Sequence, residues 1–537
     1  MKSASGLLFA LSCLLLAWWV ALGLAVRSAA GPLPSQDDAL FAGPGLCHVQ
    51  LELSASALDS LRSAPRDYVP ATLRAGTTLL HEVGVRLKGS TGSFRPLDDK
   101  PALTVDCDRF KPGQRFHSLS KFHLNNSVED PTYLNEQLGS ELFRAAGVPA
   151  PQVTHALVEL NGRRLGLYVL KEGFAPEFLA RHFTQTDGNL YEAQAAAGCD
   201  LDEPMKRNSG GGVADRSELR RVADAAHEPD AAKRWARLSQ PLALDQFLSF
   251  MAMEVLSGHR DGYCLARNNY RIYHDPTRDQ LVFLPDGMDQ LLGRPDAPVR
   301  PQMAGLVARA VMGTPAGRQA FQERLATLLT NCFVPERLTN RVRQLVTALG
   351  PELTWSEARA LKREAAALCE RIGRRAAEVE RQLAQPEPAS LGFQNGVAQL
   401  DVWRPVDPPR GGKLEHLSES QGHALSILAG PRTAASWRTR VRLSSGSYRF
   451  EAMARGREVR ALGYGKNHGI FLGVTGREVS GRQWLTGTFD WTPLSVEFQV
   501  AEPEAEVELV CALRASAGEA RFKVGSLELV RLEPQQK

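Results

Sequence analysis

The chain has 537 residues, 43% of them hydrophobic and 23% charged, room for two to four domains at roughly 100–200 residues each. That composition excludes a disordered chain, a collagen-like repeat and a small disulfide scaffold as descriptions of the whole. With 64 basic and 60 acidic residues the formal net charge is +4, too nearly balanced to argue for a nucleic-acid partner.

Residues 1–30 read as a signal peptide or an N-terminal membrane anchor. Lys2 precedes an apolar run from Leu7 to Val26, and Arg27-Ser28-Ala29-Ala30-Gly31 offers the small residues a signal peptidase reads. A run of about 20 residues is also long enough to span a bilayer uncleaved, so membrane contact is expected only if the segment is retained. Either way the remainder is expected to be exported, in a periplasm, at a cell surface or secreted. Cys47, Cys107, Cys199, Cys264, Cys332, Cys369 and Cys511 show no CxxC spacing, so no zinc site is expected.

Strand-like alternation begins at Cys47–Leu53 and returns at Glu82–Lys88, Lys100–Phe110 and Lys121–Leu124. A helix is expected from Asp130, with Pro131 in its first turn, Leu134, Leu138, Leu142 and Phe143 on one face, and Gly147 at its end. Val153–Leu160, the Asn161-Gly162 turn and Leu165–Lys171 form the clearest hairpin. Helical spacing then runs from Pro241 to Gly258, followed by strands at Tyr270–His274 and Leu281–Leu284 and by mostly helical sequence from Val307 to Leu383. These segments make one α+β unit over residues 45–385. A Pro-containing linker at 386–391 leads to an all-β unit over 392–534, read as a jelly-roll-like sandwich of short strands such as Trp437–Leu443, Gly446–Ala454, Leu494–Val500 and Glu506–Leu513.

There is no phosphate loop of the GxxxxGK[ST] type, no HExxH helix and no GxSxG elbow. The densest polar cluster is His259-Arg260-Asp261-Gly262-Tyr263, then Arg267-Asn268-Asn269-Tyr270, then Pro285-Asp286-Gly287-Met288-Asp289. On this layout a hairpin brings the two asparagines and Asp289 to one end, beside Asp261. A metal-free carboxylate can accept a hydroxyl proton, while a carboxylate and a carboxamide oxygen can hold Mg²⁺ on a polyphosphate. The same spacing also suits an Asp261 turn cap and two loop asparagines. A second cluster, Arg86-Leu87-Lys88-Gly89-Ser90-Thr91-Gly92-Ser93 with Lys100, Tyr168 and Glu172, could present an ammonium and backbone N–H groups to phosphate oxygens.

Taken in order, VGVRLKGSTGSF, the Lys-Pro strand at Lys100, LNNSVEDPTYLNEQLGSELFRAAGVPAP, VELNGRRLGLYVLKEGF, GNLYEA, GHRDGY, NNYRIYHDP and FLPDGMDQLLG resemble the spore-coat H (CotH) kinase family of atypical secreted protein kinases, over roughly residues 80–295. The resemblance implies an atypical protein-kinase-like fold over 45–385 that binds ATP with Mg²⁺ or Mn²⁺ and phosphorylates Ser or Thr of a coat, surface or secreted protein. Carried over by position, Asp261 is the catalytic base. Asn268 or Asn269, together with Asp289, would be the metal ligands. Lys88, Lys100 and Arg86 are the candidates for phosphate contact, with Glu172 in the pocket. One departure is visible: where the family commonly has Pro-Trp-Asp-x-Asp, this chain has Pro285-Asp286-Gly287-Met288-Asp289, so the first acid is either replaced by Gly287 or shifted to Asp286. The competing reading is a non-catalytic surface or matrix protein. The β-rich tail carries Trp403, Trp437, Trp484 and Trp491, which either fill a core or present faces to a glycan or surface partner.

Overall fold

The computed structural model describes residues 39–42 and 46–532 apart from 91, 194–197, 213–214, 386–387, 389–390, 420–421 and 464–466; the leader segment read from the sequence lies outside them. No helix among the described residues is long and apolar enough to cross a membrane.

The strands β1 (Leu46–Glu52), β2 (Val69–Ala75), β3 (Thr78–Lys88), β4 (Ala102–Asp106), β5 (Lys121–Asn125), β6 (Val153–Leu160) and β7 (Arg163–Glu172) close into a barrel in the order β1-β2-β3-β4-β5-β7-β6. Closure is made by parallel pairing of β1 with β6, Leu46 opposite His155. Helix α1 (Ala55–Ser63) connects β1 to β2, and α2 (Asn135–Ala145) lies between β5 and β6. Successive strand residues point to opposite faces, so Val85, Leu87, Leu103, Val105, Phe122, Leu124 and Leu170 fill the barrel. Their neighbours Arg86, Lys88, Thr104, His123 and Lys171 point to the other face. The β6–β7 hairpin turns through Asn161 and Gly162, both with φ > 0 (48° and 78°), as a two-residue turn matched to strand twist requires.

The expected helix start at Asp130 is corrected. The helix begins at Asn135, and Asp130 instead folds the preceding turn, accepting from the Thr132 backbone and hydroxyl (2.9 and 2.6 Å) and from Asn135 N (2.9 Å). A buried carboxylate with three local donors satisfies the turn as well as the first orphan amide of α2.

After helix α3 (Pro176–His182), strands β8 (Leu190–Ala193), β9 (Met205–Ser209), β10 (Tyr270–Asp275) and β11 (Gln280–Pro285) form a sheet in the order β11-β10-β8-β9. Between β9 and β10 lie α4 (Ser217–Ala226), α5 (Ala231–Leu238), α6 (Leu244–Ser257) and α7 (Tyr263–Ala266); α8 (Leu306–Met312), α9 (Pro315–Asn331), α10 (Pro335–Leu349) and α11 (Trp355–Leu383) follow. One apolar core joins α2, α6 and these helices through Leu138, Phe250, Phe283, Val307, Leu325 and Ile372. Helix α6 ends where Gly258 takes a left-handed conformation (φ 64°), which releases the chain into the His259–Tyr263 loop.

Strands β12 (Val397–Gln399), β13 (Arg404–Val406), β14 (Lys413–Glu419), β15 (Gly422–Leu428), β16 (Thr433–Arg460), β17 (Gly469–Val474), β18 (Gly487–Ala515), β19 (Ala517–Lys523) and β20 (Glu528–Leu532) belong to one hydrogen-bonded sheet. The expected row of short strands is corrected: Trp437–Leu443 and Gly446–Ala454 are halves of β16, and Leu494–Val500 and Glu506–Leu513 are halves of β18. These two strands pair along their length with a register shift between Ser444 and Gly446, and such a bulge bends a strand without ending it. Trp403 and Trp437 fill the core of this region.

Candidate functional site

A cavity of about 860 Å³ opens between the polar outer face of β3, β4, β5 and β7 and the open end of the β10–β11 hairpin, within the usual range for a small-molecule site. Register sets its barrel wall: Lys171 lies opposite His123, His123 opposite Thr104, and Thr104 opposite Arg86. Four polar side chains therefore cross four strands in one row.

At the end of that row, the Lys171 ammonium pairs with Glu136 Oε1 at 2.6 Å and with Asp286 Oδ1. Lys171 and Glu136 are 2% and 3% exposed. Burial alone would push the ammonium's pKa down, but Asp286 and Glu136 outweigh it and hold it above the ordinary lysine value. Burial alone would likewise push the Asp286 carboxyl up, but Lys171 and Arg271 hold it well below the usual carboxylate range. Arg271 Nε donates to Asp286 Oδ2 (3.1 Å) while its Nη2 reaches Glu192 (3.0 Å). The second Glu136 oxygen accepts from Met288 N (2.8 Å), so one glutamate of α2 fixes both the barrel lysine and the 286–289 turn.

The opposite wall is the loop after α6. Asp261 Oδ2 accepts from Asn268 Nδ2 (3.1 Å) and Asn269 Nδ2 (2.8 Å), leaving Oδ1 outside these bonds. The loop itself is pinned by buried Glu254, which accepts from the amides of Tyr263 (2.9 Å) and Cys264 (2.7 Å). His259 Nε2 donates to the Asp286 carbonyl (3.2 Å). Buried Arg375 of α11 donates to the carbonyls of Val255 and Leu256 at the end of α6 and to those of Pro295 and Ala297, tying the loop's root to the segment after Asp289.

Asp261, Asn269, Asp289, Arg86 and Lys88 all line the cavity. Burial, then the Glu136, Glu129 and Asp130 carboxylates, push the Asp289 carboxyl up to about 7. Lys88 donates to Asn125 Oδ1 (2.7 Å), and burial followed by the Lys171 charge pushes its ammonium down to about 8. Arg86 stacks on Tyr68, 4.7 Å from the ring centroid.

Three expected site residues stand outside the cavity lining: Asn268, which reaches only Asp261 Oδ2 from behind it, Lys100 and Glu172. Lys100 does not line the cavity: it donates to the Tyr133 hydroxyl (2.7 Å) and lies over the rings of Tyr133 and Tyr168. Glu172 does not face it either. It follows Lys171 on β7, so it points to the other face, where it accepts from Arg181 (2.7 Å) and from Gln152 N (2.9 Å). The residues the sequence reading passed over are Lys171, Glu136 and Arg271, while Asp286 entered it only as one alternative position for the first acid of the stretch. Strand alternation was the available signal for the first, since Tyr168, Leu170 and Glu172 share one face and Lys171 takes the other.

The departure at Gly287 also has a local cause. Gly287 has φ 53°, and a Cβ there would stand 2.6 Å from Asn269 Cγ. The turn therefore excludes a side chain at 287, and the first acid of the stretch stands at Asp286.

The profile of the family described as CotH kinase protein matches residues 85–381, more than half of the chain. The chain belongs to the CotH kinase protein family. Among curated CotH relatives, Invasin CotH2 of Rhizopus delemar is 24% identical over 334 residues, covering 55% of this chain and 55% of the relative. The inner spore coat protein H of Bacillus subtilis is 20% identical, covering 42% of this chain and 63% of that protein. The chain thus spans about half to two thirds of the length of these CotH relatives. The proinflammatory kinase CtkA of Helicobacter pylori aligns with 50% of this chain and 92% of its own at 9% identity and a TM-score of 0.26.

Proposed function

We propose that this CotH protein transfers the γ-phosphate of ATP to Ser or Thr hydroxyls of an exported or surface protein, with residues 45–385 forming the kinase-like unit and 392–534 an appended β unit. The observation that carries the reading is the cavity's two walls: the Lys171–Glu136–Asp286 set on one side and Asp261 with its two asparagines on the other. In protein kinases a strand lysine paired with a helix glutamate holds the nucleotide phosphates, and an aspartate of the catalytic loop accepts the substrate proton. Here Asp261 Oδ1 takes the hydroxyl proton as the hydroxyl oxygen bonds to the γ-phosphorus and the bond to the β–γ bridging oxygen breaks, releasing ADP. Lys88 and Arg86 bind and orient phosphate oxygens on the barrel wall, and buried Lys171 holds Glu136 and Asp286 in place at its end.

Among the described residues no set of three His, Cys, Asp or Glu side chains is arranged to hold a metal. A nucleotide-bound Mg²⁺ does not need one, because it retains waters and takes one or two carboxylates plus phosphate oxygens. The donor set fits: Asp286 and Asp289 supply hard carboxylate oxygens, Asn269 a carboxamide oxygen, and the acids crowding Asp289 favour a cation beside it. Bound there, the ion would neutralise charge on the β- and γ-phosphates. Export and a surface role are supported by relatives named as a spore coat protein and an invasin.

Labelled ATP, Mg²⁺ or Mn²⁺ and a generic Ser/Thr protein substrate test the reading. Asp261→Ala is expected to lower transfer by about 10²–10⁴-fold while ATP still raises the melting temperature; unchanged transfer would refute the assignment. A glycan partner for the β unit would meet the half-buried rings of Phe471 and Trp484, whose centroids are 4.1 Å apart. Trp484→Ala should then abolish glycan retention without lowering the melting temperature, and unaltered retention would rule out this surface.

A further inference from the structure

Of the four side chains that cross the barrel wall in one row, Thr104 and His123 form a pair of their own. Both line the cavity, they stand opposite each other in the β4–β5 register, and His123 Nδ1 lies 3.1 Å from the Thr104 hydroxyl. Thr104 is only 2% exposed, and its hydroxyl has no other partner among the described residues. A buried hydroxyl hydrogen without an acceptor is costly. The hydroxyl therefore donates and Nδ1 accepts, which in a neutral imidazole leaves the proton on Nε2.

The same wall keeps the ring neutral. Burial, then the Lys88 and Lys171 ammonium groups and Arg271, hold its pKa well below the ordinary histidine value against the pull of Asp286. Lys171 is committed to Glu136 and Asp286, and Lys88 donates to Asn125. His123 Nε2 has no partner among the described residues, so its N–H is an uncommitted donor among groups that draw an anion to them. We propose that His123 Nε2–H donates to a phosphate oxygen of the bound nucleotide, with Thr104 the positioning residue that keeps the proton on that nitrogen. This assignment rests on the nucleotide reading of the cavity and adds to its cations an uncharged contact next to Lys171 in the row. A donor facing an anionic oxygen makes one of the stronger kinds of hydrogen bond.

Calorimetric titration of the full chain with ATP and Mg²⁺, and separately with adenosine, tests this. His123→Leu is expected to weaken ATP binding by about tenfold, as the loss of one hydrogen bond to a charged acceptor implies, and to leave adenosine binding unchanged. His123→Gln keeps an N–H donor at similar reach and should recover most of the affinity. Thr104→Val frees Nδ1 and should weaken ATP binding in the same direction by less, whereas Thr104→Ser, which retains the hydroxyl, should not. A residue that served only to pack the wall would lower the melting temperature and show neither the glutamine nor the serine recovery. If the leucine variant does not fold, the Thr104→Val and Thr104→Ser pair carries the test. ATP affinity unchanged in His123→Leu, or adenosine weakened as much as ATP, overturns this inference alone. A wild-type chain that binds no ATP overturns it together with the nucleotide reading beneath it.

Discussion

Lys171 of β7 and Glu136 of α2, 35 positions apart in sequence, are joined by a 2.6 Å ion pair in which both side chains are almost fully buried. Two charges removed from water are stable there only because each also has a second partner: Asp286 for the lysine and Met288 N for the glutamate. Cutting one side should cost far more than the pair's net worth. Lys171→Met is expected to destabilise the protein by about 3–5 kcal/mol in urea unfolding and to abolish phosphoryl transfer. A loss below about 1 kcal/mol, the range of exposed pairs, would contradict the buried geometry.

Lys88 and Lys100 compete for one role in the sequence, and their surroundings separate them. Lys88→Met should raise the KM for ATP, since its ammonium stands in the cavity beside Asn125. Lys100→Met should leave KM unchanged and cost about 1–2 kcal/mol through the lost tyrosine contacts. Steady-state kinetics with ATP as the varied substrate distinguish the two.

Gly287→Ala adds a methyl group against Asn269 at a positive φ. The left-handed conformation alone costs a non-glycine residue about 1–2 kcal/mol, and the displaced Asn269 also loses its bonds to Asp261 and the Gly287 carbonyl. The expected outcome is a lower unfolding free energy together with a higher Mg²⁺ requirement for transfer, read from a metal titration of the reaction rate.

Glu254 makes stability pH-dependent. Burial pushes its carboxyl up to about 7, against the opposing pull of the Cys264 and Tyr263 amides. A folded pKa above the unfolded value of about 4.3 means that the native chain holds a proton the unfolded chain has released. The contribution is therefore complete below about pH 4.3 and is lost as pH rises through about 7, an effect of about 3 kcal/mol. Chemical unfolding of the wild type between about pH 5 and pH 8 should show this decline. Glu254→Gln, which cannot ionise, should show a flatter profile.

Local chemistry made much of the architecture legible in the sequence. The Asn161-Gly162 turn specifies a two-residue hairpin because both positions tolerate positive φ. Gly258 ends α6 for the same reason, and the alternation around Val85 and Leu87 already puts Arg86 and Lys88 on a common face. The cluster of Asp261, Asn268 and Asn269 was also legible, because a short hairpin leaves its two ends little freedom in where they meet.

Other features depended on contacts that no local pattern encodes. The two halves of β16 looked like separate strands because a bulge at Ser444–Gly446 interrupts the alternation without breaking the ladder. Lys100 and Lys171 are both strand-associated lysines, and nothing in their immediate sequence says which one meets an acid. That choice follows from barrel closure, which sets Lys171 opposite His123 and turns the β7 face towards α2, and from the packing of α2, which carries Glu136 to it. By itself the sequence determined the turns, the strand faces and the carboxylate–amide cluster, because these depend on backbone preferences and spacings of a few residues. Only the tertiary structure decided which buried charges are neighbours, because strand register and helix packing bring residues tens of positions apart within hydrogen-bond reach.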